Sequence, residues 1–345
     1  MLHRTLAFLF MVSALASCMK WDYVDPEEIQ TDGHGLFIIN EGNFQYGNAS
    51  LCYYDPATKE VQTEIFLRAN GFKLGDVAQS MTVRDGRGWI VVNNSHVIFA
   101  IDAETGRIEG FTSPRYIHFV SDDKAYVSQI WDNRIAIVDP RRYEITGYIE
   151  VPDMAMASGS TEQMVQIGQY VYCNCFSYQN RIIKIDTATD RVVASLTVGI
   201  QPQSLVADAY GKLWTICNGG FEDSPYGYET PALYRIDPQT FSVEAKFEFA
   251  LGDNPSELCT NGDGTRLFWL NDDLWQMAAS APRLPFTPLI ESRGTIYYGL
   301  TVDPACGDIY IADAIDYQQP GKIYRYDSHL DEFYAGITPG AFAFK

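Results

Sequence analysis

The sequence predicts an all-β protein, a seven-bladed β-propeller whose two ends pair to close the ring. A turn built around an aspartate recurs along the chain, and apolar or β-branched runs flank each copy. Successive aspartates lie 47, 37, 47, 51 and 90 residues apart, and the last interval holds one degenerate copy, so the chain contains seven units. A repeat of about 40 to 50 residues with short strands is typical of a propeller, in which each unit forms one four-stranded blade. The recurring residues are Asp55, Asp102, Asp139, Asp186, Asp237 and Asp327.

Each blade is expected to begin with an inner strand, and three of these strands start at a proline, in Ser113-Pro114, Gln201-Pro202 and Asn254-Pro255. A turn such as Asp85-Gly86 then leads to a strongly apolar second strand, of which residues 89–93 are an example. The third and fourth strands flank the recurring aspartate, whose carboxylate accepts bonds from backbone N–H groups two or three residues on. We therefore assign these aspartates to turns and not to a functional site.

The two ends of the chain are expected to complete one blade together. Residues 35–40 match a second strand that lacks a first, whereas residues 338–344 match a first strand that lacks a blade. Pairing of the two segments removes the open edge of the ring, so we expect one domain over residues 35–345. The sixth unit departs from the pattern, because residues 277–285 replace the usual aspartate turn and leave its outer strands unassigned.

The first 34 residues predict export and a lipid anchor. A short positive region precedes an apolar run, Leu6 to Ala14, that is too short to span a membrane. Residues 15–18 (Leu-Ala-Ser-Cys) resemble the lipobox of bacterial lipoproteins, which implies a signal peptide over residues 1–17 and a lipid on Cys18. Residues 18–34 read as a solvated acidic tether, which resembles the surface-export signal of Bacteroidetes lipoproteins. The expected location is the outer membrane, at the cell surface, and a plain secretory signal is the alternative.

Composition and charge exclude several classes of function. The chain of 345 residues is 46% hydrophobic and 14% aromatic, which is typical of a globular protein. Its formal charge of −19 offers no basic surface for phosphates, so nucleic acid is excluded as a partner. The sequence contains no H-E-x-x-H, no G-x-S-x-G and no phosphate-binding glycine loop, so we expect no enzyme activity, no cofactor and no bound metal. We interpret the acidic pairs at 122–123 and 272–273 as turn residues. The cysteines after Cys18 are interpreted as small buried core residues.

Two rings of side chains are expected at one end of the central channel. The end of each second strand and the start of each inner strand open onto the same face of a propeller, so polar residues there indicate a binding surface. The second strands contribute Asn40, Asn93, Gln129, Asn174, Asn218, Asn271 and Asp313. The inner strands contribute Gln79, Arg115, Glu162, Gln203, Ser256, Tyr298 and Gly340.

The loops that follow the second strands carry aromatic residues, which would form a rim around this face. Aromatic rings supply contact area and the amides supply orientation, so the combination favours a small-molecule site. Of the aromatics, Trp131 and Tyr178 are the candidate ligand contacts. An asparagine at a strand end also caps the turn that it enters, so each second-strand amide has a purely structural alternative. The remaining rim candidates are Phe44, Tyr46, Phe176, Phe221, Tyr226, Tyr228, Trp275 and Tyr317.

The repeated strand–aspartate–turn pattern and the proline-led inner strands, over residues 35–344, resemble the YncE-like seven-bladed propellers. The lipobox, the acidic tether and the opening residues 35–44 (GLFIINEGNF) more narrowly resemble the BtuG surface lipoproteins of gut Bacteroides, which bind vitamin B12. That resemblance implies non-catalytic capture of cobamides and delivery to a TonB-dependent outer-membrane transporter of the BtuB type. A corrin ring fringed with amides suits a wide polar mouth with an aromatic rim.

Two other functions stay open from the sequence. A glycan-binding or scaffold protein would use the rim aromatics without the central amides. A metal-assisted lyase would need an acid or a histidine beside a cation, and Glu162 and Glu257 are the first candidates for that role. Binding of cyanocobalamin to the purified protein discriminates among these functions.

Overall fold

The computed structural model describes residues 25–31, 33–102, 106–154 and 158–345. Within them the chain forms seven antiparallel sheets arranged as the blades of a propeller, which confirms the predicted fold class. The predicted signal peptide and Cys18 lie outside the described residues. The first blade contains β1 (Leu36–Asn40), β2 (Ser50–Asp55) and β3 (Glu60–Gln62), followed by the short helix α1 (Ile65–Asn70). The second blade contains β4 (Ala78–Arg84), β5 (Arg87–Val92), β6 (Val97–Ile101) and β7 (Gly106–Glu109).

The remaining blades repeat the same antiparallel order from the channel outwards. The third contains β8 (Pro114–Phe119), β9 (Ala125–Gln129), β10 (Arg134–Asp139) and β11 (Glu144–Glu150). The fourth contains β12 (Met164–Ile167), β13 (Tyr170–Cys175), β14 (Arg181–Asp186) and β15 (Arg191–Thr197). The fifth contains β16 (Pro202–Ala207), β17 (Leu213–Cys217), β18 (Ala232–Asp237) and β19 (Ser242–Glu248). The last two contain β20 (Ser256–Thr260), β21 (Arg266–Asn271) and β22 (Asp273–Ala278), then β23 (Tyr297–Val302), β24 (Ile309–Asp313), β25 (Pro320–Tyr326) and β26 (Leu330–Ile337).

The final strand, β27 (Pro339–Phe344), pairs antiparallel with β1 and is the inner strand of the first blade. The strand order in that sheet is β27-β1-β2-β3, so the predicted closure of the ring by the two ends is confirmed. The sixth blade has three strands, because described residues 279–296 form no fourth strand. The segment around Ile290 partly covers the outer side of this blade, where the Ile290 carbonyl accepts a hydrogen bond from the Leu274 N–H at 3.0 Å.

The core of the propeller lies between the blades and not at the ring centre. Seven clusters of buried apolar side chains each join one blade to the next, because strand residues alternate and every sheet presents two apolar faces. Five of the six recurring aspartates form the predicted turns, and the turn after Asp102 lies outside the described residues. For example, the Asp55 carboxylate accepts the Ala57 N–H at 2.8 Å, and that of Asp237 accepts the Gln239 N–H at 2.7 Å. No helix among the described residues is long and apolar enough to cross a membrane.

Residues 25–31, which were expected to be a solvated tether, lie against the propeller. Ile29 packs on the apolar cluster between the first two blades, and Glu27 forms an ion pair with Arg68 of α1. The carbonyl of Gln30 accepts a bond from the Gln62 amide at 2.7 Å. This segment reaches the ring beside the start of β1, so the chain enters from the face opposite the ends of the second strands.

Candidate functional site

The polar side chains at the ends of the second strands form hydrogen bonds with the backbone. In six of the seven blades these side chains bond the segment that leads into an inner strand. The amide of Asn93 donates to the Pro114 carbonyl at 3.0 Å, and the Asp313 carboxylate accepts the Ile296 N–H at 2.8 Å. The other four act alike, with Asn40 accepting from Gly336, Gln129 from Thr112 and Asn271 from Asn254, and Asn174 donating to Pro202. Asn218 instead accepts from Gly220 in its own loop.

These amides therefore position the inner strands, and the structure does not bring them to the channel. Asn40, Gln129 and Asn174 are almost fully buried within their blades. None of the seven lines the cavities at the mouth of the channel. We expected the residues at the ends of the second strands (the outer ring) to surround the mouth together with those of the inner strands. This is wrong for the outer ring, because a side chain that caps a turn cannot also reach the channel.

The ring contributed by the inner strands does line the mouth. One cavity of about 380 Å³ is bounded by Gln79, Arg115, Glu162 and Gly340, and a second of about 480 Å³ is bounded by Ser256. The two cavities share a wall, so they form one broad depression, which we call the mouth. Residues of the shared wall are Gln203, Glu257 and Tyr298.

The inner strands reach the mouth because each is bent at its start. A β-bulge interrupts the pairing of the inner and second strands in six of the seven blades. The residue before the proline adopts a left-handed φ in three of them, at 59° for Ser113, 55° for Gln201 and 51° for Thr338. An extra residue in a bulge turns the next side chains away from the regular pleat. The bulge thus directs long polar side chains into the channel.

A buried ion pair crosses the bottom of the mouth. The Arg115 Nε donates to the Glu162 carboxylate at 2.9 Å, and the same guanidinium bonds the Gln79 amide oxygen. The Ser160 hydroxyl donates to Glu162 at 3.0 Å, and the Glu162 side chain is only 3% exposed. Because these partners come from three consecutive blades, the pair links neighbouring inner strands around the channel.

A second carboxyl, which the sequence did not single out, lies beside this pair. The hydroxyl of Tyr298 donates to Glu41 at 3.0 Å. Burial raises the pKa of Glu41, although the nearby Arg115 charge and the Tyr298 bond oppose that change. Burial and the Glu41 carboxylate in turn raise the pKa of Tyr298. Glu41 follows the last residue of β1, so its place next to the polar ring was the available sequence signal.

Glu257 is the third carboxyl of the mouth. Its φ is 56°, a left-handed value that is strained for a residue with a side chain, and it sits inside the bulge of β20. In the described part of the chain, its carboxyl forms no hydrogen bond and no ion pair. Burial, followed by the Glu41 charge, raises the pKa of Glu257 to about 8. At neutral pH this side chain is therefore mostly a neutral acid.

Most of the predicted rim aromatics are exposed on the loops after the second strands, and Phe176 and Tyr317 line the cavities of the mouth. Trp131 is 45% exposed, and the rings of Tyr178 and Tyr226 stand 4.2 Å apart between their centroids. Tyr317 packs edge-on against Tyr298 at 5.5 Å and joins the rim to the wall of the mouth. The expectation for Trp275 is wrong, because it lies in β22 and packs into the core between blades. The other exposed rim aromatics are Phe44, Tyr46, Phe221 and Tyr228.

The model of a family described as a domain of unknown function, DUF5074, matches residues 34–329. The chain belongs to the DUF5074 family. The match begins just before β1 and ends just before β26, so it includes every element of the mouth except those of β27. No curated protein matches the sequence of this DUF5074 protein.

Solved propellers resemble the DUF5074 protein in fold. The periplasmic gluconolactonase of Pseudomonas aeruginosa aligns with a TM-score of 0.67 at 13% identity, over 90% of this chain and 98% of that one. A quinonprotein alcohol dehydrogenase-like protein of Bacteroides thetaiotaomicron aligns with a TM-score of 0.66 at 13% identity, over 91% and 79% of the two chains. Hydrazine synthase of Kuenenia stuttgartiensis aligns with a TM-score of 0.58 at 18% identity, over 72% and 76%. At such identities the likeness shows the propeller fold alone.

The raised pKa of Glu257 makes the stability of this DUF5074 protein depend on pH. Its folded-state pKa of about 8 exceeds the unfolded value of about 4.3, so the folded state binds more protons between these limits. The contribution of Glu257 is complete at low pH and is lost as the pH rises through about 8. We expect Glu257→Gln to melt above the wild type at alkaline pH and close to it in acid. Thermal unfolding followed by circular dichroism measures this, with exposed Glu60→Gln as the matched control. Parallel losses of stability in wild type and Glu257→Gln would contradict it.

Proposed function

We propose that this protein is a non-catalytic surface receptor that binds a cobamide at the mouth and passes it to a TonB-dependent outer-membrane transporter. The observation that carries the proposal is the shape and chemistry of the mouth. It is a broad depression made of two adjoining cavities of about 380 and 480 Å³, with polar walls and an aromatic rim. Ligand sites have volumes of about 300 to 1,000 Å³, with a few convergent polar groups that orient the ligand.

The polar groups of the mouth suit the amide fringe of a corrin. Primary amides both donate and accept hydrogen bonds, and the mouth supplies acceptors and donors in the side chains of Gln79, Gln203 and Ser256. Among the described residues the Gln203 side-chain oxygen has no hydrogen-bond partner, so a ligand in the mouth would supply the missing donor. The Trp131 and Tyr317 rings at the rim would cover apolar parts of a large flat molecule.

The entry point of the N-terminal segment supports a role at the cell surface. Residues 25–31 dock on the face opposite the mouth, and His34 bonds Asp303 at 2.8 Å on that same face. A lipid on Cys18 would hold this face towards the outer membrane. The mouth would then face outwards, where it can meet a ligand before a transporter does.

Binding of cyanocobalamin tests the proposal, and a tryptophan of the rim provides the critical variant. We expect the protein without residues 1–18 to retain the red ligand on a desalting column. Trp131→Ala should bind about tenfold more weakly, because truncation of an aromatic anchor typically costs at least about 1 to 2 kcal/mol. Tyr210→Ala is the matched control, since Tyr210 is 60% exposed in the turn between β16 and β17 on the opposite face. Titration calorimetry measures both affinities.

The outcomes separate this proposal from the two other functions. No retained ligand, with Trp131 and Tyr178 required instead for binding a polysaccharide, would favour a glycan-binding protein. Turnover of a small substrate that is lost in Glu162→Gln or Glu257→Gln would favour an enzyme. Co-purification with a transporter only when the mouth is loaded with cobamide would support delivery.

A further inference from the structure

The wall shared by the two mouth cavities contains one carboxyl group that has no bonding partner among the described residues. Glu257 lines both cavities, and in the described residues its carboxyl has no hydrogen bond and no ion pair. The Gln203 oxygen on the same wall is buried and also lacks a hydrogen-bond partner in the part of the chain that the structure describes. The backbone at Glu257 is held at a left-handed φ of 56° within a bulge. The backbone is therefore strained at the residue whose unpaired carboxyl group faces the mouth.

We propose that Glu257 determines which ligands the mouth accepts, because its carboxyl group, which lines both cavities, pairs with a primary carboxamide of the ligand. In this pair the acid O–H donates to the amide carbonyl, and an amide N–H donates to the acid carbonyl. The inference rests on the proposed function and names the group of the ligand that enters the wall. A ligand carboxylate in that place offers no N–H and brings a negative charge.

The groups that face Glu257 keep it neutral and exclude a ligand anion. Arg115 is the one cation among the described residues that line the two cavities, and it is bound to Glu162 at 2.9 Å. Glu41, across the mouth, repels a second negative charge. Desolvation acts in the same direction, and together they place the pKa of Glu257 at about 8. The other titratable side chains that line the two cavities are Tyr116, Asp272, Tyr297, Tyr298 and Tyr317, and Cys259 lies on the same strand as Glu257.

Cyanocobalamin and its monocarboxylates test this pairing. In each monocarboxylate a single peripheral propionamide has been hydrolysed to a carboxylate. The wild type should bind at least one monocarboxylate about tenfold to a hundredfold more weakly than cyanocobalamin, since the hydrogen bond from the amide N–H to the acid carbonyl is lost and a negative charge is buried beside Glu41. Affinity for cyanocobalamin should also fall as the pH rises from about 6 to about 9.5, because the ionised acid cannot donate.

Three variants complete the experiment. Glu257→Gln keeps one donor and one acceptor at every pH, so it should bind cyanocobalamin with an affinity that no longer depends on pH. Glu257→Leu removes both groups and should bind about tenfold more weakly at neutral pH, while its circular dichroism spectrum stays that of the wild type. Glu60→Gln, on the outer strand β3, should keep the wild-type affinity and pH profile.

The results separate the two proposals. If the wild type binds cyanocobalamin but shows the same affinity for every monocarboxylate and a flat pH profile, the role of Glu257 is wrong and the cobamide receptor stands. Equal affinities in the wild type and Glu257→Leu would also overturn it. If cyanocobalamin is not bound at any pH, both the receptor and the pairing are wrong.

Discussion

Deletion of the last eight residues, Thr338 to Lys345, is expected to abolish the cooperative folding of the whole propeller. β27 pairs with β1 at five positions, and β1 is completely buried. The side chains of β27 belong to two interfaces, since Ala343 packs between the first and second blades and Phe342 packs between the seventh and first. Loss of the strand would leave buried backbone groups without partners and two apolar interfaces open.

The expected loss approaches the whole stability of a domain. Each net backbone hydrogen bond contributes about 0.5 to 1.5 kcal/mol, and a folded domain is stable by only about 5 to 15 kcal/mol. Thermal unfolding and gel filtration measure the outcome, and we expect an aggregated or unfolded product. Deletion of Lys345 alone is the control, because it removes a single backbone bond, to Gly35 at 3.0 Å, and its contacts with Thr31. A truncated protein that melts at the wild-type temperature would refute closure through β27.

Replacement of Arg115 by leucine is expected to destabilise the protein by about 3 to 5 kcal/mol, because it leaves a buried carboxylate without its cation. The Glu162 side chain is 3% exposed and Arg115 is 20% exposed, so little water can replace the lost partner. Ser160 would remain as a hydrogen-bond donor to Glu162, but it carries no charge. Denaturant unfolding gives the difference in free energy between the two proteins.

Two further variants separate the buried charge from general disruption. The double variant Arg115→Leu/Glu162→Gln should recover most of the stability, since the unpaired charge is gone. Arg107→Leu should cost less than about 1 kcal/mol, because the Arg107–Glu109 pair is more than 60% exposed on both sides. If Arg115→Leu costs no more than Arg107→Leu, then the pair does not tie the inner strands together.

Local patterns were sufficient for the fold and for part of the site. The aspartate turns and the proline-led inner strands depend on residues close in the sequence, and those within the described residues occur where they were expected. The pairing of the two ends was predicted because each end matches a different strand of the repeated unit. The inner ring of Gln79, Arg115, Glu162, Gln203 and Tyr298 was predicted correctly as the lining of the channel, because its members occupy equivalent positions in repeated units.

The same reasoning was wrong for the outer ring. Asn93 and Asp313 also recur at equivalent positions, but the recurrence reflects a repeated capping role, as their bonds to Pro114 and Ile296 show. A repeat places side chains of one type in register, and it does not say whether their polar atoms are already satisfied. The docking of residues 25–31 depended likewise on an apolar surface that exists only when the first two blades are packed.

The period and the blade count were properties of the sequence alone, since hydrogen bonding and apolar alternation within a blade act over short segments of the chain. Closure of the ring was predicted from the match between the two end segments, and the tertiary structure brings those distant segments together as β1 and β27. The chemistry of the mouth was decided by the tertiary structure. Glu41, Arg115, Glu162 and Glu257 come from four blades, and their charges interact only because the ring brings the inner strands together around one desolvated channel. Electrostatic energy depends on distance through space and on burial, and neither is encoded in the spacing of residues along the chain.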